Sequence, residues 1–196
     1  ARHGVVVMIH CENDDLVSAE TARLVQANLT GLAYHGQARP SLAEVEAVSR
    51  VLFLAREADC PVYIVHCSVA RSVEQVVAAR RLGQIAFAET CPQYLLLDES
   101  QYVGPHAAWG IMQPPLRPAG EPDRLWQLVS SGAVSSLGTD HCDYTILQKL
   151  GLEPLEQPAV QQAMAQLKEA VAIFAEIGEM GAGLSDAAEI WKLVEW

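Results

Sequence analysis

The chain has 196 residues, of which 51% are hydrophobic and 19% charged, and its formal net charge is −11. That composition excludes a disordered chain, and the acidic balance excludes a surface built to bind nucleic acid or an anionic membrane. No apolar stretch reaches the ~18 residues needed to cross a bilayer, and residues 1–13 lack an apolar segment followed by a small-residue cleavage site. The five cysteines contain no CxxC pair, which reads as reduced thiols rather than a disulfide framework. The expectation is a cytoplasmic protein.

In chain order, "GVVVMIH" (4–10) is an apolar, β-branched run and predicts a strand. Helical patterns follow over 15–29 and 41–58. "PVYIVH" (61–66) predicts the second strand, and 70–82 the helix after it. "QIAFAETC" (84–91) predicts the third strand. A loop-rich stretch, "GPHAAWGIMQPPLRPAGEP", leads to a helix over 122–131, and "AVSSLGTD" (133–140) predicts the fourth strand. Helical patterns over 158–178 and 185–195 close the chain. Apolar strands separated by helices indicate a parallel sheet covered by helices, which both a doubly wound sheet and a (β/α)8 barrel satisfy. No GxGxxG or GxxxxGK[ST] follows a strand, which argues against nucleotide-binding forms of this class.

The polar residues at the strand ends carry the functional reading. Three of the four predicted strands end in a potential metal ligand: His10, His66 and Asp140. In parallel α/β folds the C-terminal strand ends share one face, and that face carries the chemistry. Imidazole and carboxylate suit Zn²⁺ and similar divalent ions, and such an ion makes a hydroxide nucleophile available near neutral pH. A histidine at a strand end is equally a hydrogen-bonded structural residue, and Asp140 or Thr139 equally a helix cap. Cys11 and Cys67, each next to one of these histidines, read as small core residues. His3, His35 and His106 read as surface or loop residues.

The segments "MIHCEN" (8–13), "YIVHCS" (63–68), "AETCPQYLLLD" (88–98), "QPPLR" (113–117) and "LGTDHCDYT" (137–145) resemble the cyclic amidohydrolases. They are most similar to the dihydropyrimidinase/hydantoinase branch. The resemblance implies a TIM-type (β/α)8 barrel, with residues 1–196 forming its C-terminal half, about strands five to eight and the following helices. It implies hydrolysis of a cyclic amide, a dihydropyrimidine or hydantoin ring, by a metal-activated hydroxide at a site that holds two divalent metals when complete, usually zinc. His10 and His66 would bind one metal. Asp140 would bind the other and serve as general base and acid. Glu12 and His141 would orient the ligands, and Gln113 and Pro114 would contact the substrate. The resemblance also implies a homo-oligomer and an N-terminal barrel half, on this polypeptide or on a partner chain.

The sequence departs from the family at defined places. No HxH pair occurs, and the three lysines, Lys149, Lys168 and Lys192, all follow the last predicted strand, so none matches the bridging carboxylated lysine. Gln113 stands where the family has serine before "PPLR". Residues 151–170 read as helix where the family has a Gly/Pro-rich loop with an asparagine. These departures keep an alternative open: a catalytically inactive dihydropyrimidinase-like protein serving as a structural or interaction subunit.

Overall fold

The computed structural model describes residues 5–142 and 144–149. The predicted helices over 158–178 and 185–195 lie outside the described residues, as does the 151–170 segment. The four predicted strands form a single parallel sheet in the order of the chain: β1 (Val7–Ile9), β2 (Val62–Ile64), β3 (Ala86–Thr90) and β4 (Ser136–Leu137). A doubly wound sheet reverses its strand order at a switch point. This one does not. The register pairs Val7 with Val62, Val62 with Ala86 and Glu89 with Ser136.

Each strand is shorter than its apolar run. The runs end at residues that cannot continue a ladder: His66 and Asp140 adopt left-handed φ angles of 40° and 47°. The helices are α1 (Asp14–Gln26), α2 (His35–Ala38), α3 (Ser41–Glu57), α4 (Ala70–Arg81), α5 (Pro92–Leu96), α6 (Glu121–Ser130) and α7 (Ile146–Lys149). Asn13 caps α1 by accepting the Leu16 amide at 3.1 Å. Glycines at φ 86° and 72°, Gly83 and Gly132, end α4 and α6 where only a residue without Cβ turns freely. In place of a side-chain cap of its own, α4 takes Glu121 from α6, whose carboxylate accepts the Ala70 amide at 2.6 Å.

The core lies between the sheet and helices α3, α4 and α6. Val62, Ile64, Val73, Val76 and Leu125 are each at most 1% exposed. Burying side chains of this size contributes roughly 1.5–3 kcal/mol apiece. Along β2 and β3 the alternation is clean: Val62, Ile64, Ala86 and Ala88 face this core, whereas Tyr63, Phe87 and Glu89 face away from it. The apolar runs do not, therefore, mark strands buried on both sides. On the face away from the helices Met8 is 65% and Phe87 37% exposed. Among the described residues no helix is long and apolar enough to cross a membrane.

A buried ion pair ties the loops above the sheet together. Glu44 on α3 and Arg117 are 2% and 3% exposed and lie 3.2 Å apart. Glu44 also accepts the backbone amides of Ser68 and Val69 and the Ser68 hydroxyl. Arg117 donates to Ser68 Oγ at 2.8 Å and to the Arg39 carbonyl at 2.6 Å. Removing one partner leaves an uncompensated charge in the interior. Arg117→Ala is therefore expected to lower unfolding free energy by about 3–5 kcal/mol. Denaturant titration checks this, and a loss no larger than that of an exposed Arg56→Ala control would refute it.

Candidate active site

The turn after β1 and the turn after β2 bring His10 and His66 together. His10 Nδ1 lies 3.0 Å from His66 Nε2, although the two are 56 positions apart in sequence. The other nitrogen of His10, Nε2, donates to Glu12 at 3.0 Å. That bond places the proton on Nε2 and leaves the Nδ1 lone pair facing His66. Glu12 is held in turn by Arg39, whose Nη2 reaches it at 2.5 Å. Burial works against the Glu12 charge. Hydrogen bonds from His10 and Arg39, with the Arg39 charge, outweigh it and hold the carboxyl down at about 2.

His66 is 7% exposed, and its Nδ1 is buried with no hydrogen-bond partner among the described residues. Burial, reinforced by His10, lowers the His66 pKa from its ordinary value, and the charge of Asp140 opposes the shift. Asp140 thus lies within electrostatic reach of His66, on the same rim. It is exposed, as is His141 beside it. Among the described residues no group of three or more His, Cys, Asp or Glu side chains is arranged to hold a metal ion. The donor set itself fits one. Two nitrogens bound to zinc at ~2.0–2.1 Å in tetrahedral geometry sit roughly 3.3 Å apart. The observed 3.0 Å is close to that edge, and the Glu12 contact fixes the tautomer such binding needs.

Cys11, Cys67 and Cys91 sit just behind the rim and are at most 2% exposed. Burial, with the nearby Glu44 charge, pushes the Cys11 thiol up to about 12, and burial pushes Cys91 up to about 12 with help from Glu89. They stay protonated core residues, which the position of Cys11 and Cys67 beside the histidines foreshadows.

The two most recognisable segments of the sequence touch each other. Tyr94 of "ETCPQYL" donates its hydroxyl to the Pro114 carbonyl of "QPPLR" at 2.7 Å, and the Leu116 amide donates to Tyr102 at 2.6 Å. Pro114 is fully buried with its carbonyl engaged, while Gln113 stands exposed at the surface.

No family model matches the chain. Its sequence is 40% identical over 148 residues to the D-phenylhydantoinase of Escherichia coli (strain K12 / DH10B), covering 75% of this chain and 32% of that protein. Its structure is similar to a dihydropyrimidinase from Brevibacillus agri, with a TM-score of 0.70, 36% identity, and coverage of 73% of this chain and 32% of that one. The chain matches part of a cyclic amidohydrolase of the hydantoinase type. It is also similar to an L-hydantoinase from Arthrobacter aurescens, at TM-score 0.66 and 31% identity over 70% of this chain and 30% of that one. The chain spans about a third of the length of these amidohydrolases.

Several residues that build this rim stand outside the sequence expectations. Arg39, Glu44 and Arg117 form the scaffold behind His10 and His66. His35, read as a surface or loop residue, starts α2, is half-buried, and donates to the Met112 carbonyl at 2.8 Å, directly beneath Gln113. Tyr63 and Glu89 lie on the sheet face opposite the helices, joined by a 2.7 Å hydrogen bond. A charge inside the run "QIAFAETC" was the one available signal for Glu89.

Burial holds the pKa of His35 below the ordinary 6.5, against the pull of the Met112 hydrogen bond. The unfolded chain therefore takes up this proton at a higher pH than the folded one, so the stability His35 allows above pH 6.5 is lost as pH falls below it. His35→Gln keeps a donor for Met112 and does not titrate. The expected result is a smaller drop in unfolding free energy between about pH 7 and pH 5 than in the unaltered chain. Equal drops in the two proteins would show that His35 does not contribute.

Proposed function

We propose that this chain supplies one metal-binding wall, and the acid–base carboxylate, of a hydantoinase- or dihydropyrimidinase-type active site. The observation that carries the reading is the His10–His66 pair, set at 3.0 Å with Glu12 fixing one tautomer. The names of the relatives support the reaction class, opening of a cyclic amide. On this reading the four parallel strands correspond to strands five to eight of a (β/α)8 barrel. The HxH pair and bridging lysine then belong to the other half of the barrel, on the same polypeptide or a partner chain, and the complete protein is a homo-oligomer.

His10 and His66 would hold one of two divalent ions, with zinc the ion two imidazoles suit. Bound there, the ion would lower the pKa of a coordinated water towards ~7 and polarise the amide carbonyl. Glu12, by accepting the His10 proton, keeps the Nδ1 lone pair turned to the ion, and Arg39 keeps Glu12 in place. Asp140 takes a proton from the attacking water and delivers it to the ring nitrogen as the C–N bond breaks. The water oxygen ends on the carbonyl carbon and its proton on the nitrogen. Gln113 meets the ring from the exposed end of the "QPPLR" turn, with Pro114 buried beneath setting that turn's position. A second reading, an inactive dihydropyrimidinase-like subunit, draws on Gln113 in place of serine and on the lack of a three-ligand group among the described residues.

The isolated chain is expected to take up at most one zinc ion, weakly, and not to open dihydrouracil or hydantoin. His66→Ala should abolish zinc uptake with the circular dichroism spectrum retained. Zinc content measured by elemental analysis checks the first point, and unchanged content in the variant removes His66 from the ligand set. Ring opening by the isolated chain at an ordinary enzyme rate would overturn the division of ligands between two halves.

A further inference from the structure

Glu89 is the one charge within an otherwise apolar strand, and the reaction above makes no use of it. The register pairs Tyr63 with Phe87 and Glu89 with Ser136, so these four side chains share the sheet face away from the helices. The two carboxylate oxygens do different work. Oε2 accepts the Tyr63 hydroxyl at 2.7 Å, and Oε1 accepts the backbone amide of His66 at 3.3 Å. The Tyr63 hydroxyl also meets the Ser136 hydroxyl on β4. On its third side the carboxylate lies against the backbone of Gly138: a Cβ there would come within 2.7 Å of both Cδ and Oε2.

Gly138 is bonded through its amide to the Thr90 carbonyl at 3.1 Å and stands two residues before Asp140. One carboxylate therefore touches the backbone of both turns at which the chain leaves the sheet with left-handed φ, at His66 and at Asp140. Such a conformation in a non-glycine residue is strained and persists only where the surroundings over-determine it. At His66 the restraint is an amide donated to Glu89. In the turn that leads to Asp140 the contact is steric and falls at position 138, through a close approach that only glycine there permits.

We propose that Glu89 is a positioning residue that sets the spacing of the His66 and Asp140 turns, and through it the metal affinity of the rim. The affinity part rests on the metal reading given above; the spacing part stands on the contacts alone. Glu89 is not itself placed as a ligand, because one of its oxygens is taken by a side-chain hydroxyl and the other by a backbone amide.

Zinc titration and amide NMR spectra of the isotope-labelled chain test this with Glu89→Gln, Tyr63→Phe and Gly138→Ala. Glu89→Gln keeps size but offers one acceptor in place of two. It is expected to weaken zinc binding by about ten- to a hundredfold, and to move the amide resonance of His66 together with those of Gly138 and Asp140. Tyr63→Phe leaves the His66 contact and should give a smaller change of the same sign. Gly138→Ala presses on the same carboxylate from the other strand and should displace the His66 amide resonance, so the test survives if Glu89→Gln does not fold. Zinc affinity within about twofold of the unaltered chain in both Glu89→Gln and Gly138→Ala overturns the proposal, as do amide shifts confined to one turn. An unaltered chain that takes up no zinc overturns the metal reading instead, and the amide shifts in the two variants then decide alone whether one carboxylate spans both turns.

Discussion

Everything above the sheet depends on the buried pair Glu44–Arg117. Two charges taken out of water are tolerated only when their remaining donors and acceptors are met. Here they are: Glu44 receives two backbone amides, a hydroxyl and a guanidinium, and Arg117 reaches Ser68 and the Arg39 carbonyl as well. Three loops distant in the chain are fixed to one another by this arrangement: the turn after β2, the segment before α3, and "PPLR". Arg39 continues the connection through Glu12 to His10. The imidazoles are thus held from behind by a network whose members cannot move independently, as a site preorganised for a ligand requires.

The order and type of the elements were legible because apolar runs and helical periodicity report burial directly. The ends of the strands were not. A run such as Val62–Val65 says which residues are buried, but nothing local says that His66 leaves the ladder with positive φ. Helix α5 escaped because five residues starting at Pro92 carry too little periodicity to stand out from a loop. Glu44 falls in phase with Val48, Leu52 and Ala55 on the buried stripe of α3, so a charge at an apolar position was there to be noticed. Its partner could not be, since Arg117 stands 73 positions after Glu44. The same holds for His10 and His66: the sequence places each at a strand end, and only the sheet register makes them neighbours.

Family resemblance and physical reading divide the work differently. The resemblance singles out "ETCPQYL" and "PPLR" as separate words. The structure supplies the reason they occur together, a tyrosine hydroxyl on a proline carbonyl. The resemblance gives Tyr63 no role, whereas the register puts its ring beside Phe87 on the face that no helix in the described residues covers.

The thiols carry a practical corollary. Cys11, Cys67 and Cys91 are shut away, Cys60 is half-hidden, and Cys142 alone of the five is exposed. A maleimide dye would settle on Cys142 first. It would thereby sit two positions from Asp140 and act as a fluorescent gauge of events at the rim, without any engineered attachment point.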